Sequence, residues 1–223
     1  MSRHRAGLPD FLKLGGDVID LLGAGEKSLA RRLFQRIREV GPMAGVGGLV
    51  ATDRVFSLLE REFEQKDVQN AVARAIRPAD GADLSAHQPL IDLSRGRDGT
   101  VRLVTTNFDL LFEKCDGSIA CSGPPILPNP RSAAFNGIIH RHGRVNADYS
   151  GPGDEEFIVS SADFGRAYLS DGWATRFMQS LLARFQIVFV GCAADDPPIQ
   201  YLLEALNLRA GSCHHRGLYR PGF

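Results

Sequence analysis

The sequence lacks the features that mark secreted, membrane-spanning and cysteine-paired zinc proteins. Its four cysteines are irregularly spaced and form no CxxC pair, so neither a disulfide framework nor a structural zinc site is expected. No apolar run approaches the roughly 20 residues that span a bilayer, and no signal-peptide core follows the N-terminus. We therefore expect a cytoplasmic protein with free thiols, no bound metal and no membrane partner.

The chain also lacks an excess of charge of either sign. Lys plus Arg and Asp plus Glu number 26 each, so no overall field would attract nucleic acid, which we do not expect as a partner. What is present is ordinary for a soluble globular protein: 43% hydrophobic and 23% charged residues in 223 positions. This length suits one large domain, and we expect residues 1–223 to form it.

Apolar periodicity and β-branched runs alternate along the chain. Three- and four-residue spacing predicts helices at 11–22, 29–40, 53–63, 68–76, 162–169, 173–184 and about 198–208. Short β-branched or apolar runs predict strands at 101–105, 137–140, 186–190 and, more weakly, 156–160, with an irregular loop at 116–134. Strands that alternate with helices predict an α/β fold with a mainly parallel sheet, and residues 26–95 would be an inserted helical module.

Three predicted strands end in turns that carry polar or small residues. Asn107 and Asp109 follow the first strand in the run TTNFD. His142 follows the second in HRHG, and a run of small residues that begins at Gly191 follows the third. Ligands bind beyond the carboxyl ends of parallel strands, so these turns are the predicted ligand site.

Each turn also has a purely structural interpretation. Asp109 could cap the helix that follows it, because Asp and Asn are common caps. His142 could be an ordinary core or surface histidine without a catalytic role, although an imidazole suits general-base catalysis. The run at 191–197 would look the same in an ordinary tight turn. The residues alone leave both interpretations open.

Four segments, taken in order, resemble the sirtuin superfamily. Residues 7–11 (GLPDF) resemble its Gly-Ile-Pro-Asp-Phe element, and 105–109 (TTNFD) resemble its Thr-Gln-Asn-Ile-Asp element, with Thr106 in place of Gln. His142 with its following glycine matches the catalytic His-Gly. Residues 191–197 (GCAADDP) resemble the variant of bacterial sirtuin-like proteins in anti-phage and NAD-depleting systems. The resemblance implies a Rossmann-like, doubly wound fold that uses NAD as co-substrate.

The resemblance also implies roles for individual residues. Asn107 and Asp109 would hold the nicotinamide ribose and amide side of NAD, and His142 would be the general base. Asp10 and Phe11 would line the nicotinamide pocket. The implied cofactor-binding residues are Ser2, Pro9, Asp10, Phe11, Thr106, Asn107, Asp109, Gly191, Cys192 and Asp196, and the implied catalytic residues are His142 and Asn107.

The sequence departs from the family pattern at two places. Sirtuins begin with a strand and a Gly-Ala-Gly-x-Ser loop that cradles the pyrophosphate, and Ser2 aligns with that Ser, so we expect the chain to be truncated there. Residues 23–28 (GAGEKS) lie downstream of the Pro-Asp-Phe element and indicate a helix end instead. Protein-deacylating sirtuins carry two zinc-binding cysteine pairs after the His-Gly, whereas only Cys192 and Cys213 follow His142. Zinc is therefore not expected, and peptide deacylation is doubtful.

Three functions follow from the resemblance. The leading one is an NAD glycohydrolase that yields nicotinamide and ADP-ribose, as the effector part of a defence protein with a fused or separate sensor domain. The second is an NAD-dependent protein deacylase, and the third is a catalytically silent nucleotide-binding module. A sheet without its first strand would expose an unpaired edge, so a homo-oligomer is also expected.

Overall fold

In a computed structural model, the chain combines helices with a parallel sheet. The structure describes residues 6–40, 52–153 and 157–190. The chain divides into two compact units, residues 1–191 and 192–223, and all described residues belong to the first. Within the described residues, no helix is long and apolar enough to cross a membrane. The predicted helix at 198–208 lies outside these ranges.

Five helices precede the first strand in the described part of the chain. They are α1 (Phe11–Leu21), α2 (Leu29–Val40), α3 (Asp53–Glu62), α4 (Gln65–Ala75) and α5 (Gln88–Ser94). Hydrophobic periodicity predicts the first four to within three residues at each end. It misses α5, because seven residues with a proline near the start show too little periodicity to identify a helix.

The first four helices bury their apolar faces in one hydrophobic cluster. Leu14 and Val18 of α1 are fully buried there, as are Phe56 of α3 and Val72 of α4. The same cluster contains Phe108, which follows the first strand. The helical part therefore packs directly against the segment that carries the predicted site.

Three short parallel strands form the sheet. They are β1 (Arg102–Thr105), β2 (Cys121–Ser122) and β3 (Gly137–His140), in the order β1-β3-β2. β1 pairs with β3 in parallel, with Thr105 opposite His140, so both strands end at the same edge. The predictions of β1, of β3 and of parallel pairing are confirmed. β2 lies inside the predicted loop at 116–134.

Two predicted strands are wrong over their described residues. Residues 186–190 have no regular structure, and Val188, Phe189 and Val190 are exposed, so this apolar run has no strand beside it among the described residues. Residues 157–160 are buried, but the N–H groups of 158–160 donate to a loop carbonyl and to a side chain and not to a neighbouring strand. The N–H of Ile158 donates to the carbonyl of His142 (2.9 Å), which replaces a sheet ladder with a loop contact.

Helix α6 (Leu111–Cys115) lies between β1 and β2. The last described helices are α7 (Ser161–Gly165), a π-helical turn (Arg166–Ser170) and α8 (Trp173–Arg184). Their positions confirm the helices predicted at 162–169 and 173–184. Ser160 begins α7 with a capping box: its hydroxyl accepts from the N–H of Asp163 (3.2 Å), whose carboxylate accepts from the N–H of Ser160 (3.1 Å). This cap fixes the start of the segment that carries Phe164 and Tyr168.

We expect Ser160→Ala to lower the free energy of unfolding by roughly 1–2 kcal/mol, because it leaves a buried N–H without its side-chain acceptor. Urea denaturation of both proteins measures the difference. Ser170→Ala is the matched control, since the Ser170 side chain is exposed and makes only long contacts of 3.4 Å. An equal, small effect of the two substitutions would contradict the importance of the cap.

Candidate functional site

The turns after β1 and β3 are joined by hydrogen bonds. The N–H of Arg141 donates to the carbonyl of Thr105 (2.8 Å), and the N–H of Val145 donates to the carbonyl of Phe108 (2.9 Å). These bonds continue the parallel β1–β3 pairing beyond the ends of the strands. The structure therefore brings together the segments at 105–109 and 140–143, as their strand-end positions predict.

Asn107 is held by its backbone. Its N–H donates to the hydroxyl of Thr105 (3.0 Å), and its carbonyl accepts from Nδ1 of His140 (3.0 Å). The side chain is half-buried, and its amide makes no hydrogen bond to any described residue. Beside it, Thr106 is exposed. Asn107 thus has a fixed main chain and an amide that can donate to and accept from a ligand.

His142 is buried in a polar and aromatic environment. Its Nε2 lies 3.1 Å from the hydroxyl of Tyr168 and 3.3 Å from Nη2 of Arg141. A guanidinium only donates, so this nitrogen accepts and the ring is neutral. Burial and then the charge of Arg141 hold the pKa of His142 well below its usual value. The ring of Phe164 packs edge-on against the imidazole at 5.2 Å between centroids. A neutral imidazole is the form that a general base requires.

Asp109 is fully buried and has a structural contact. Its Oδ1 accepts from the N–H of Leu111 (3.2 Å), at the start of α6 (Leu111–Cys115). This bond forms a turn before the helix, which supports the structural interpretation of Asp109. Its predicted role in holding the ribose and amide of NAD stays a prediction.

The residues before α1 also have local structural roles. Asp10 is the N-cap of α1, and its carboxylate accepts from the N–H of Lys13 (2.7 Å). Pro9 is buried, and the ring of Phe11 packs on that of Phe56, with 5.4 Å between centroids. Their place in a nicotinamide pocket stays a prediction. Four further predicted residues lie outside the described ranges: Ser2, Gly191, Cys192 and Asp196.

Sequence patterns miss the pair formed by His140 and Glu113. His140 is fully buried, and its Nε2 lies 2.8 Å from Oε1 of Glu113. Burial by itself raises the pKa of Glu113. The hydrogen bond and the charge of His140 lower that pKa by more than burial raises it, so it lies below its usual value. The two residues are 27 positions apart. No short motif relates them, and only the chain fold brings them together.

His87 is a second buried histidine near this edge of the sheet. It is fully buried, and neither ring nitrogen has a hydrogen-bond partner among the described residues. The ring of Phe112 meets it edge-on at 5.1 Å between centroids. Burial lowers the pKa of His87, although the charges of Asp109 and Asp83 oppose the shift. The native protein therefore holds His87 neutral at a cost in desolvation.

We expect His87→Leu to make the chain more stable at pH 5.5 and less sensitive to acidification. The pKa of His87 is lowered in the folded state, so the unfolded chain takes up the proton first as the pH falls below about 6.5. The wild-type protein therefore loses free energy of unfolding below this pH, whereas a protein with leucine at position 87 does not lose this contribution. Urea unfolding of both proteins at pH 7.5 and 5.5 measures the difference. Parallel losses in the two proteins would show that His87 is not responsible.

The comparisons with known proteins address the segment that contains both turns. A family model described as a SIR2-like domain matches residues 101–220, which include 105–109 and 140–143. This chain belongs to the SIR2-like family. SIR2-like domains are NAD-binding domains of the sirtuin type, so the predicted superfamily is confirmed.

A longer relative of this SIR2-like chain is the uncharacterized protein y4cA of Sinorhizobium fredii (strain NBRC 101917 / NGR234). The two are 32% identical over an alignment 232 residues long, which covers 93% of this chain and 19% of the relative. The chain thus spans about a fifth of the length of the protein it matches. No solved structure matches it.

Asn107 and Thr106 offer polar groups at one turn, an amide and a hydroxyl that can donate and accept as a carboxamide and ribose hydroxyls require. Their assignment to the nicotinamide half of NAD stays a prediction. His142 follows on the adjoining turn. The residues that the family resemblance assigns to the phosphates and the adenosine half lie outside the described ranges.

Proposed function

We propose that this SIR2-like domain is an NAD glycohydrolase that releases nicotinamide and ADP-ribose. The proposal depends most on one observation. The amide of Asn107 and the neutral imidazole of His142 lie on two turns that are hydrogen-bonded to each other at the ends of β1 and β3. This arrangement supplies a group that orients the substrate and a group that accepts a proton.

The proposed reaction breaks one bond and forms one bond at the anomeric carbon of the nicotinamide ribose. The glycosidic C–N bond breaks, and its electron pair leaves with nicotinamide, which becomes neutral. Water forms the new C–O bond, and its proton passes to Nε2 of His142, which then gives up its contact with Arg141 and donates to the hydroxyl of Tyr168. The lowered pKa of His142 makes it a weak base, which suits a step in which water attacks an already cationic carbon. Asn107 orients the substrate so that the anomeric carbon faces the water.

Water is a better proposed nucleophile than an acyl-lysine. The cysteines that follow His142 are Cys192 and Cys213, too few for the two zinc-binding pairs of protein-deacylating sirtuins. We further propose a Rossmann-like doubly wound sheet, a defence role as an NAD-depleting effector and a homo-oligomer. The alignment of the chain with a fifth of a longer relative supports a fused sensor domain.

The test uses the full 223-residue chain with NAD, with and without an acetylated peptide. Release of nicotinamide and ADP-ribose in equal amounts without peptide is the expected result. Release that requires the peptide and forms O-acetyl-ADP-ribose would replace the proposal with a deacylase. A thermal shift caused by NAD without any cleavage would replace it with a silent binding module. The absence of both cleavage and binding would also overturn it.

A further inference from the structure

Three side chains with metal-binding atoms meet behind the Asn107 turn. Glu113 comes from α6, Cys121 from β2 and His140 from the end of β3. Their carboxylate, thiol and imidazole atoms all lie within 4.8 Å of one another. We propose that Glu113, Cys121 and His140 bind one divalent transition-metal ion, zinc in the simplest case, with a fourth position open to water. The neighbouring NAD site does not include Glu113 or Cys121.

The chemistry of the three groups selects the class of ion. Zinc takes sulfur from Cys, nitrogen from His and oxygen from Asp or Glu, and three protein ligands leave a fourth position for water. A thiolate with an imidazole favours zinc over magnesium or calcium, which prefer oxygen ligands only. The site therefore predicts zinc or its spectroscopic substitute, cobalt.

The orientation of His140 is an observation independent of the cluster distances. Its Nδ1 faces the carbonyl of Asn107 at 3.0 Å, and a carbonyl only accepts, so Nδ1 carries the proton. The other nitrogen, Nε2, is thereby aimed at Glu113. Metal-binding histidines are commonly held in this way, with the second N–H on a backbone carbonyl and the free nitrogen on the metal. The ring is fully buried, which keeps it in that orientation.

A metal ion would replace one shared proton. Nε2 of His140 and Oε1 of Glu113 lie 2.8 Å apart, a separation that requires a proton between them. Ligand atoms on a tetrahedral zinc are about 3.3 Å apart, so this pair must open by about half an ångström. Oε2 of Glu113 is buried and has no hydrogen-bond partner among the described residues, so the carboxylate can turn toward the ion without losing a contact on that side.

Cys121 is a half-buried free cysteine, and its Sγ donates a long contact of 3.5 Å to the carbonyl of Ile119. An ion would take the place of that thiol proton, because zinc binds the thiolate.

An ion at this site would act on Asn107 through His140. The metal would fix the ring at Nε2, and Nδ1 of the same ring holds the carbonyl of Asn107. Metal binding would therefore stabilise the turn at 105–109. This consequence concerns the protein alone and holds whether or not NAD is cleaved.

The test measures metal directly, with no NAD present. The full chain is stripped with a chelator, dialysed against Zn²⁺ or Co²⁺, and examined for metal content and for the thiolate-to-cobalt charge-transfer band. We expect about one ion per chain and a clear band. Cys121→Ala should lose the band and most of the bound ion. Cys115→Ala is the matched control, because Cys115 is also a half-buried free cysteine but is not in the cluster, and it should keep both.

A second variant keeps the result decisive if Cys121→Ala fails to fold, which far-ultraviolet circular dichroism would reveal. His140→Gln should also lose the ion, while leaving the Cys121 thiol in place. Wild-type protein that retains no ion after dialysis would overturn the proposal. A cobalt band that survives both substitutions would also overturn it, since the thiolate would then come from another cysteine.

Discussion

Replacement of His142 by alanine is expected to lower the rate of nicotinamide release roughly 100- to 10,000-fold, the usual contribution of a general base. Nε2 is the basic nitrogen of this ring, because it accepts from Arg141 and lies 3.1 Å from the hydroxyl of Tyr168. Alanine removes that acceptor and leaves the neighbouring groups in place. Release of nicotinamide by wild-type and variant proteins, each at saturating NAD, measures the change.

Asn107→Ala is expected to lower the same rate by about 100-fold, because the substrate loses a group that orients it. The variant keeps the Asn107 backbone contacts to Thr105 and His140, so the turn should persist. Asn129→Ala is the matched control, since Asn129 is exposed and lies in the loop before β3. Full activity of either His142→Ala or Asn107→Ala would remove that residue from the mechanism.

Gly137→Ala is expected to destabilise the chain by roughly 2–5 kcal/mol, the largest stability effect that we predict. Gly137 has φ of +127°, a region that other residues avoid, and an added Cβ would clash with the backbone oxygen of Ala120. That oxygen cannot move freely, because it accepts from the N–H of Ile138 (2.9 Å) and joins β2 to β3. Urea denaturation, followed by circular dichroism, measures the loss.

Gly165→Ala is the control for the glycine substitution. Gly165 ends α7 with φ of −57°, and an added Cβ would meet no atom within 4 Å. Alanine there should be neutral or stabilise the chain by up to about 1 kcal/mol, as its helix propensity predicts. Similar destabilisation by both substitutions would show that the contact with Ala120 is not the cause.

The elements that sequence predicts correctly are those whose signal is local. Helices α1 to α4 carry a full apolar face within ten to twelve residues, and β1 and β3 are compact runs bounded by turns. The run at 186–190 has the same composition as a strand, yet its apolar side chains are exposed. Strand formation needs a partner strand, which a short segment cannot reveal on its own.

The site residues, too, are predicted from the sequence only where their signal is local. Asn107 and His142 are found from their position after predicted strands, because parallel pairing places such ends together. Tyr168 is missed, since its contact with His142 spans 26 residues and depends on the π-helical turn. Glu113, Cys121 and His140 are missed because metal sites are recognised in sequences by close spacing, which these three residues lack. The pairing of β2 with β3 and the position of α6 directly after β1 bring them together.

The pairing of β1 with β3 also sets the order of events when the chain folds. The backbone hydrogen bonds within helices α1 to α4 join residues about four positions apart, whereas Thr105 and His140 pair across 35 positions. Contacts between distant residues form slowly, because loop-closure entropy is lost before they are made. Helical signal should therefore return before the turns of Asn107 and His142 meet, so the site is assembled late and a chain still being synthesised lacks it until β3 has emerged.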